Sequence, residues 1–367
     1  YKNTDYITMK IDYDYEQPKQ NEVKQFNELF NQIFPVEDIR RDYSIILSSV
    51  LFGRGGSTDC FIVANGKGGN GKGVLHELMS EMLGIYAMIA PVSIICNPIK
   101  QGSNPEVAGM HNKRFIVYEE PSEKHKIDIG SMKMITGGDR INARMNYSNN
   151  TETLLKGIHI LDANDKPKLN GKMDGSISRR LIDIHFMSSF TDKKEDYENL
   201  EYHFKANYDY RQPEFKKVYK HALFEYLIRF IKDYQSKNTS PIYHGLVGKM
   251  SMITKNRTDK YIENSDFLGS YLRDNIEKTD NKNDILKIKD IFNTFKVSEE
   301  FQGLNKDEKS VFNGPKKFNT LVSMHKIYKK FFKDKINIKK EDGTNTTARN
   351  VLMGCKLVCD DNELDFE

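Results

Sequence analysis

The sequence predicts an α/β protein: a parallel sheet with flanking helices at the centre, a helical segment before it and a winged-helix-like module behind it. Four short apolar runs, Cys60 to Ala64, Arg114 to Tyr118, Gly157 to Leu161 and Leu181 to Phe186, are bounded by turn residues, as strands buried on both faces are. A glycine-rich loop, Gly66 to Gly73, stands between the first run and a helical pattern at Val74 to Leu83. After about Ser188 the pattern turns helical and then strongly basic.

In chain order, the segment up to Gln20 is polar and rich in Asp and Tyr, an irregular lead-in. From Asn21, the positions Val23, Phe26, Leu29, Phe30, Ile33 and Phe34 follow helical spacing, and Pro35 stops the helix. A second helix uses Ile39, Tyr43, Ile46, Leu47, Val50 and Leu51, and Arg54-Gly55-Gly56-Ser57 ends it as a turn. The strands and helices of the sheet follow. A long helix is expected at Phe215 to Tyr234, then a polar loop at Gln235 to Pro241. The last hundred residues read as helices near Phe267 to Ile276, Ile285 to Phe295 and Phe318 to Phe332. The third of these sets Phe318, Leu321, Val322, His325, Tyr328 and Phe332 on one face, and Lys326, Lys330 and Lys333 on another. Ile336 to Lys340, a turn containing Gly343, and Val351 to Val358 then suggest a two-stranded wing. A helical cap with a merely solvated Lys face is the competing reading. The expected domains are 1–55 (lead-in and collar-like helices), 56–190 (core), 191–262 (helical lid or connector) and 263–367 (basic module).

The 367 residues suffice for two or three domains. With 38% hydrophobic and 29% charged residues, the chain reads as globular. No apolar stretch is long enough for a bilayer span, and no signal-peptide pattern opens the chain, so no membrane is expected. The first residue is Tyr1 rather than Met, which leaves room for upstream domains. Net charge is only +4, but Lys306 to Lys340 holds eleven Lys and three acids, a footprint suited to a polyanion. The four cysteines, Cys60, Cys96, Cys355 and Cys359, are too scattered for a disulfide framework, and no zinc-binding spacing accompanies them.

The loop Gly66-Lys67-Gly68-Gly69-Asn70-Gly71-Lys72-Gly73 carries the most specific chemistry, with Val74 beginning the helix after it. Its glycines let backbone N–H groups face a phosphate chain, the helix N-terminus adds its positive end, and Lys72 neutralises phosphate charge. The usual pattern places Ser or Thr after the Lys to hold magnesium; Gly73 supplies no hydroxyl. About fifty residues on, Phe115-Ile116-Val117-Tyr118-Glu119-Glu120 reads as a strand ending in two carboxylates. On a strand neighbouring the loop, one acid would help hold a metal and the other would deprotonate an attacking water. A third strand ends at Asn164, placed to sense a γ-phosphate.

Taken in order, these segments resemble superfamily-3 helicases. The resemblance also rests on Asn104-Pro105-Glu106, on Lys133 to Arg144 with its Thr136-Gly137-Gly138-Asp139 block and Ala143-Arg144, on Pro167, and on Ser178-Arg179-Arg180-Leu181. More narrowly they are similar to the helicase half of poxvirus-type primase-helicases of large DNA viruses, over about Asn21 to Phe186. The resemblance implies an AAA+-like ATPase using ATP and Mg2+, assembled as a ring, by expectation a hexamer, around single-stranded or forked DNA. Lys72 would bind phosphate, Glu119 and Glu120 would serve the metal and the water, and Asn164 would be the sensor. Arg179 or Arg180 would reach the neighbouring subunit's ATP, and the choice between them stays open. A hairpin from Ile141 to Tyr147 and Thr153 to Ile160, with a tip at Ser148-Asn149-Asn150, would project into the ring channel. Lys133, Arg144 and Lys156 would contact DNA phosphates there and Tyr147 would stack on a base; Lys326 and Lys330 would serve in the terminal module.

The leading expectation is therefore an ATP-driven DNA helicase of viral replication, located intracellularly, in the host cytoplasm where viral replication proceeds, with room for a primase domain upstream. A nucleotide-gated DNA-binding scaffold, its hydrolysis slowed by Gly73, is the alternative, and a small-molecule phosphotransferase is a third reading.

Overall fold

A computed structural model describes residues 9–100, 102–119, 121–122, 125–145, 152–171, 173, 175–279, 281–304, 306–325, 327–339 and 345–358. Glu120, Tyr147, the hairpin tip Ser148-Asn149-Asn150, Lys326, Gly343 and Cys359 lie outside the described residues. The chain divides into two compact units, residues 1–169 with 176–259 and residues 170–175 with 260–367. No helix among the described residues is long and apolar enough to cross a membrane.

The first unit is built on a parallel sheet of β1 (Phe61–Asn65), β2 (Ala87–Ala90), β3 (Phe115–Glu119), β4 (Ile158–Ala163) and β5 (Leu181–His185). Its order is β5-β1-β4-β3-β2. The mixed α/β class with a parallel sheet is thus as expected, and the four apolar runs become strands. The edge strand β2, Ala87-Met88-Ile89-Ala90, is apolar as well but is not among the four expected strands. The full burial of β1 explains why Phe61 to Ala64 is apolar without alternation; β4 is equally buried but includes His159 and Asp162.

Residues i, i+2 of each strand share a face. Ile62 and Ala64, Phe115 and Val117, Ile158 and Ile160, and Ile182 and Ile184 all turn toward one core. Four helices supply its other side: α1 (Gln20–Ile33), α2 (Glu37–Val50), α3 (Lys72–Leu83) and α5 (Pro213–Lys237). On the opposite face His159 Nδ1 and the Tyr118 hydroxyl share a hydrogen bond at 2.9 Å, and burial pushes the imidazole down to about 3, so it stays neutral.

Gly55 and Gly56 fall not in an open turn but in a short helix, Gly55–Thr58. An added Cβ at Gly55 would lie 2.1 Å from the Gly157 carbonyl oxygen, and one at Gly138 would lie 2.8 Å from the Gly56 Cα. Gly138 also has φ +75°. Close backbone approach therefore accounts for the glycine of the Thr136-to-Asp139 block, which follows α4 (Ile129–Thr136). Beyond it, Arg140–Arg144 pairs antiparallel with Glu152–Leu154, Arg140 opposite Leu154. The hairpin's second strand is shorter than the expected Thr153 to Ile160, because Ile158 onward pairs in the parallel sheet.

In the second unit, α7 (Phe267–Asn275), α8 (Ile288–Val297) and α9 (Pro315–Met324) surround a core of Leu268, Leu272, Ile291, Phe295, Phe318 and Val322. Strand Asn345–Met353 lies between Ile285–Lys287 and Phe332–Lys339, antiparallel to both. The expected helix to Phe332 is corrected here: α9 stops at Met324. His325 is extended, its Nε2 lies 3.0 Å from Asp266 Oδ2, and Phe332 opens a strand. Lys330 and Lys333 therefore do not share a helical face; Lys330 sits in the turn, its ammonium 5.0 Å from the Phe331 ring centre. The hairpin strands also begin earlier than Ile336 and Val351, because pairing runs from Phe332 opposite Leu352.

Candidate nucleotide site

Parallel strands deliver their C-terminal ends to one edge of the sheet, where crevices for ligands form. At that edge β1 runs into the glycine-rich loop, β3 ends at Glu119, and β4 ends just before Asn164. The loop begins with Gly66, where an added Cβ would lie 2.2 Å from the Phe186 carbonyl oxygen, so only glycine lets the chain leave β1 here. Gly69 and Gly71 also have positive φ, and Gly71 precedes α3. Asn70 is buried, and its Oδ1 accepts from the Lys72 backbone N–H at 3.2 Å, bracing the turn. Gly68 and Gly73 are open on their Cα side. The backbone N–H groups at the start of α3 have no helical acceptors and suit a phosphate.

Lys72 is 8% exposed. Its Nζ donates to the Ala163 carbonyl at 2.9 Å and the Gly66 carbonyl at 3.3 Å, which holds the ammonium at the loop mouth. Burial lowers its pKa while Asp162 raises it. Val74 faces a recess also lined by Leu29, Phe190, Tyr208, Tyr210 and Arg211. Phe190 reaches it because its backbone N–H donates to the Gly69 carbonyl at 2.7 Å. No local pattern in the sequence marks these aromatics, which follow the loop by more than a hundred residues.

The strand order corrects one expectation. β3 is not beside β1; β4 lies between them, so Glu119 stands two strand spacings, about 10 Å, from the loop strand. Opposite Glu119 in register is Asp162 on β4, which in turn stands opposite Ala64 of β1. Register partners in parallel strands present their side chains to the same face, so Asp162 lies between the loop and Glu119. Asn164 is exposed just past the end of β4.

Below the loop, Asp183 is fully buried. It accepts from the Asn65 side-chain amide and pairs with Lys166 and, at 3.2 Å, with Arg257 of the helix α6 (Met252–Ser265). Arg257 also donates to Asn65 Oδ1 at 2.6 Å. Asn65 is the last residue of β1, so this network fixes the point where the loop begins. Burial first, then Arg257, pushes neighbouring His185 down to about 4, keeping it neutral at physiological pH.

Arg179 and Arg180 stand elsewhere. They precede β5, and the Arg180 carbonyl accepts from the Phe61 N–H at 2.7 Å, at the start of β1. The length of β1, about 16 Å, separates them from this chain's own loop. Arg180 is 7% exposed and its Nε lies 2.8 Å from Asp59 Oδ1. The Arg179 side chain is 63% exposed and only 3.5 Å from Asp59 Oδ2. Lys133 lies on α4, Arg144 ends the first hairpin strand, and Lys156 stands just before β4, at the sheet edge opposite the loop.

The donors fit a nucleotide triphosphate with a divalent cation. The loop, Lys72 and the start of α3 suit the phosphates. No group of three metal-ligating side chains occurs among the described residues, so a cation here would depend on phosphate oxygens and waters beside one or two carboxylates. That is the usual way magnesium is held with a phosphate ligand. Glu119, at the end of β3, is a described carboxylate placed for it.

No protein-family model matches the chain. It is 28% identical over 299 residues to a "putative helicase" of Acanthamoeba polyphaga mimivirus, covering 79% of this chain and 29% of that one. A "putative helicase" of Invertebrate iridescent virus 3 is 24% identical, covering 80% of this chain and 32% of that one. "Primase D5" of Fowlpox virus is 28% identical over 170 residues, 45% of this chain and 21% of that one. The chain thus spans a third or less of these relatives' length, and the expected likeness to the primase-helicases of large DNA viruses is present. Among solved structures, the C-terminal region of NrS-1 superimposes with a TM-score of 0.51 at 12% identity, covering 94% of this chain and 78% of that one. That is a likeness of fold, consistent with a phosphate-loop core.

Proposed function

We propose that this chain is the motor portion of an ATP-dependent DNA helicase of viral replication, of the superfamily-3, AAA+-like kind, acting at host-cell replication sites. The observation that carries the reading is the glycine loop with its positive-φ turns, buried Lys72 and a strand-end carboxylate gathered at one sheet edge. Viral relatives bearing helicase and primase names support it.

The loop N–H groups and Lys72 bind and neutralise the β- and γ-phosphates, and the aromatic recess beside Val74 receives the base. Magnesium, held by phosphate oxygens and waters beside Glu119, would supply positive charge to the phosphate oxygens. Glu119 orients the cation's shell, Glu120 takes the proton of the attacking water, and Asn164 donates to the γ-phosphate. Arg179 serves the neighbouring subunit: it is exposed, a strand's length from its own loop, whereas Arg180 is committed to Asp59. That division of labour calls for a ring, by analogy a hexamer. The hairpin at Arg140–Leu154, with Lys133, Arg144, Tyr147 and Lys156, grips one DNA strand, and Lys326 and Lys330 of the winged-helix-like module hold DNA through its phosphates. A primase domain upstream on the same polypeptide would fit this role.

Strand displacement tests the reading. A labelled forked duplex with excess protein should separate with ATP and Mg2+, and not with ATP in EDTA. The second reading, an ATP-gated DNA-binding scaffold, is favoured by Gly73 and predicts the opposite: nucleotide-dependent DNA binding with the duplex left intact.

A further inference from the structure

We infer that Asp162 is a positioning carboxylate of the nucleotide site and replaces the hydroxyl that Gly73 lacks, by accepting from a water of the bound cation's shell. The inference rests on the nucleotide reading above and concerns a residue to which that reading gives no role.

Asp162 is 8% exposed, yet only one of its oxygens is engaged within the protein. Its Oδ2 lies 2.8 Å from His76 Nδ1, whereas its Oδ1 is buried with no hydrogen-bond partner among the described residues. A buried carboxylate oxygen left unpaired is costly, so an arrangement that retains one calls for a ligand or water to satisfy it. The position says which. Asp162 stands between Ala64 and Glu119 in register, and its charge is felt at Lys72.

The carboxylate is also aimed. His76 lies on α3, one turn past Lys72, with a 2% exposed ring packed edge-on to Phe115 and Phe186. The Tyr43 hydroxyl hydrogen-bonds His76 Nε2. Burial raises the Tyr43 pKa far above its ordinary value, so the phenol keeps its proton and donates. Nε2 then accepts, and the remaining proton sits on Nδ1, donating to Oδ2. The chain Tyr43–His76–Asp162 fixes the orientation of the carboxylate from a hydrophobic core, as outer-shell partners do for metal-binding groups. Gly73, meanwhile, has nothing within 4 Å of an added Cβ, so the loop tolerates the hydroxyl it lacks.

The experiment is calorimetric binding of AMP-PNP to the full chain in Mg2+ and in EDTA. The wild type should bind roughly tenfold or more tightly with Mg2+, ~1.4 kcal/mol per tenfold. In Asp162→Asn the cation effect should fall to about twofold or less, while binding in EDTA holds or strengthens, because a charge repelling the phosphates is gone. Adding Gly73→Thr to Asp162→Asn should restore most of the effect. His76→Gln, which leaves the carboxylate but loosens it, should lose part of the effect and serves if Asp162→Asn fails to fold. A full cation effect in Asp162→Asn, or in His76→Gln when that is the variant that folds, overturns the inference alone. So does a double variant that Gly73→Thr does not rescue. Absence of AMP-PNP binding by the wild type in both buffers overturns the nucleotide reading and this inference with it.

Discussion

Asp183→Ala is expected to lower the melting temperature by roughly 10 °C, which corresponds to about 3–5 kcal/mol for removing one partner of a buried ion pair. Asp183 is fully buried, and Lys166 and Arg257 both lean on it. Its loss takes a buried carboxylate away from Lys166 and Arg257, and the Asn65 amide at the root of the glycine loop keeps only the Ile184 carbonyl of its two acceptors. Asp183→Asn keeps the shape but not the charge and should fall between. Circular dichroism melts of the three proteins decide it. A variant melting within about 2 °C of the wild type would mean that the cations turn to solvent freely and that the network does not anchor β1.

The second large effect concerns Arg179. Arg179→Ala should reduce ATP turnover by about 1,000-fold, the scale of an arginine supplied in trans, while leaving nucleotide binding in place. Arg180→Ala should act differently: it leaves Asp59 near a buried cavity and should chiefly destabilise the protein. Mixing separates the roles. Protein carrying Lys72→Ala has an intact finger and protein carrying Arg179→Ala has an intact loop, so a mixture should recover part of the turnover that each lacks. No recovery in the mixture, or normal turnover in Arg179→Ala, would remove the assignment across subunits.

Much of the first unit was legible because strands buried on both faces show as unbroken apolar runs, and a loop needing several positive-φ positions shows as glycines. The edge strand Ala87–Ala90 was missed although all four of its residues are apolar and Pro91 follows them. It is paired on one side only, with Ile89 59% exposed, so its apolar residues are not matched by uniform burial. The end of α9 was misread because Tyr328, Phe331 and Phe332 prolong helical spacing of apolar residues, while the actual stop is a tertiary contact, His325 with Asp266. The site shows the same limit. Lys72 and Glu119 announce themselves locally, whereas Asp162 acquires meaning only from His76 and from the register with Glu119. The recess of Phe190, Tyr208 and Tyr210 exists only once the chain folds back over the loop. Charge identity alone does not separate Arg179 from Arg180; their side chains differ in exposure, 63% against 8%, and that difference is what the proposal uses.

The central claim is that the glycine loop turns over ATP and that DNA drives the turnover. ATP hydrolysis by the full chain, with and without single-stranded DNA at two salt concentrations, beside Lys72→Ala, tests it most directly. The expected result is turnover that rises with DNA, more so at low salt where phosphate contacts are strongest, and that falls by about 100-fold or more in Lys72→Ala. Turnover that is indifferent to DNA, or that survives in Lys72→Ala, would contradict the account.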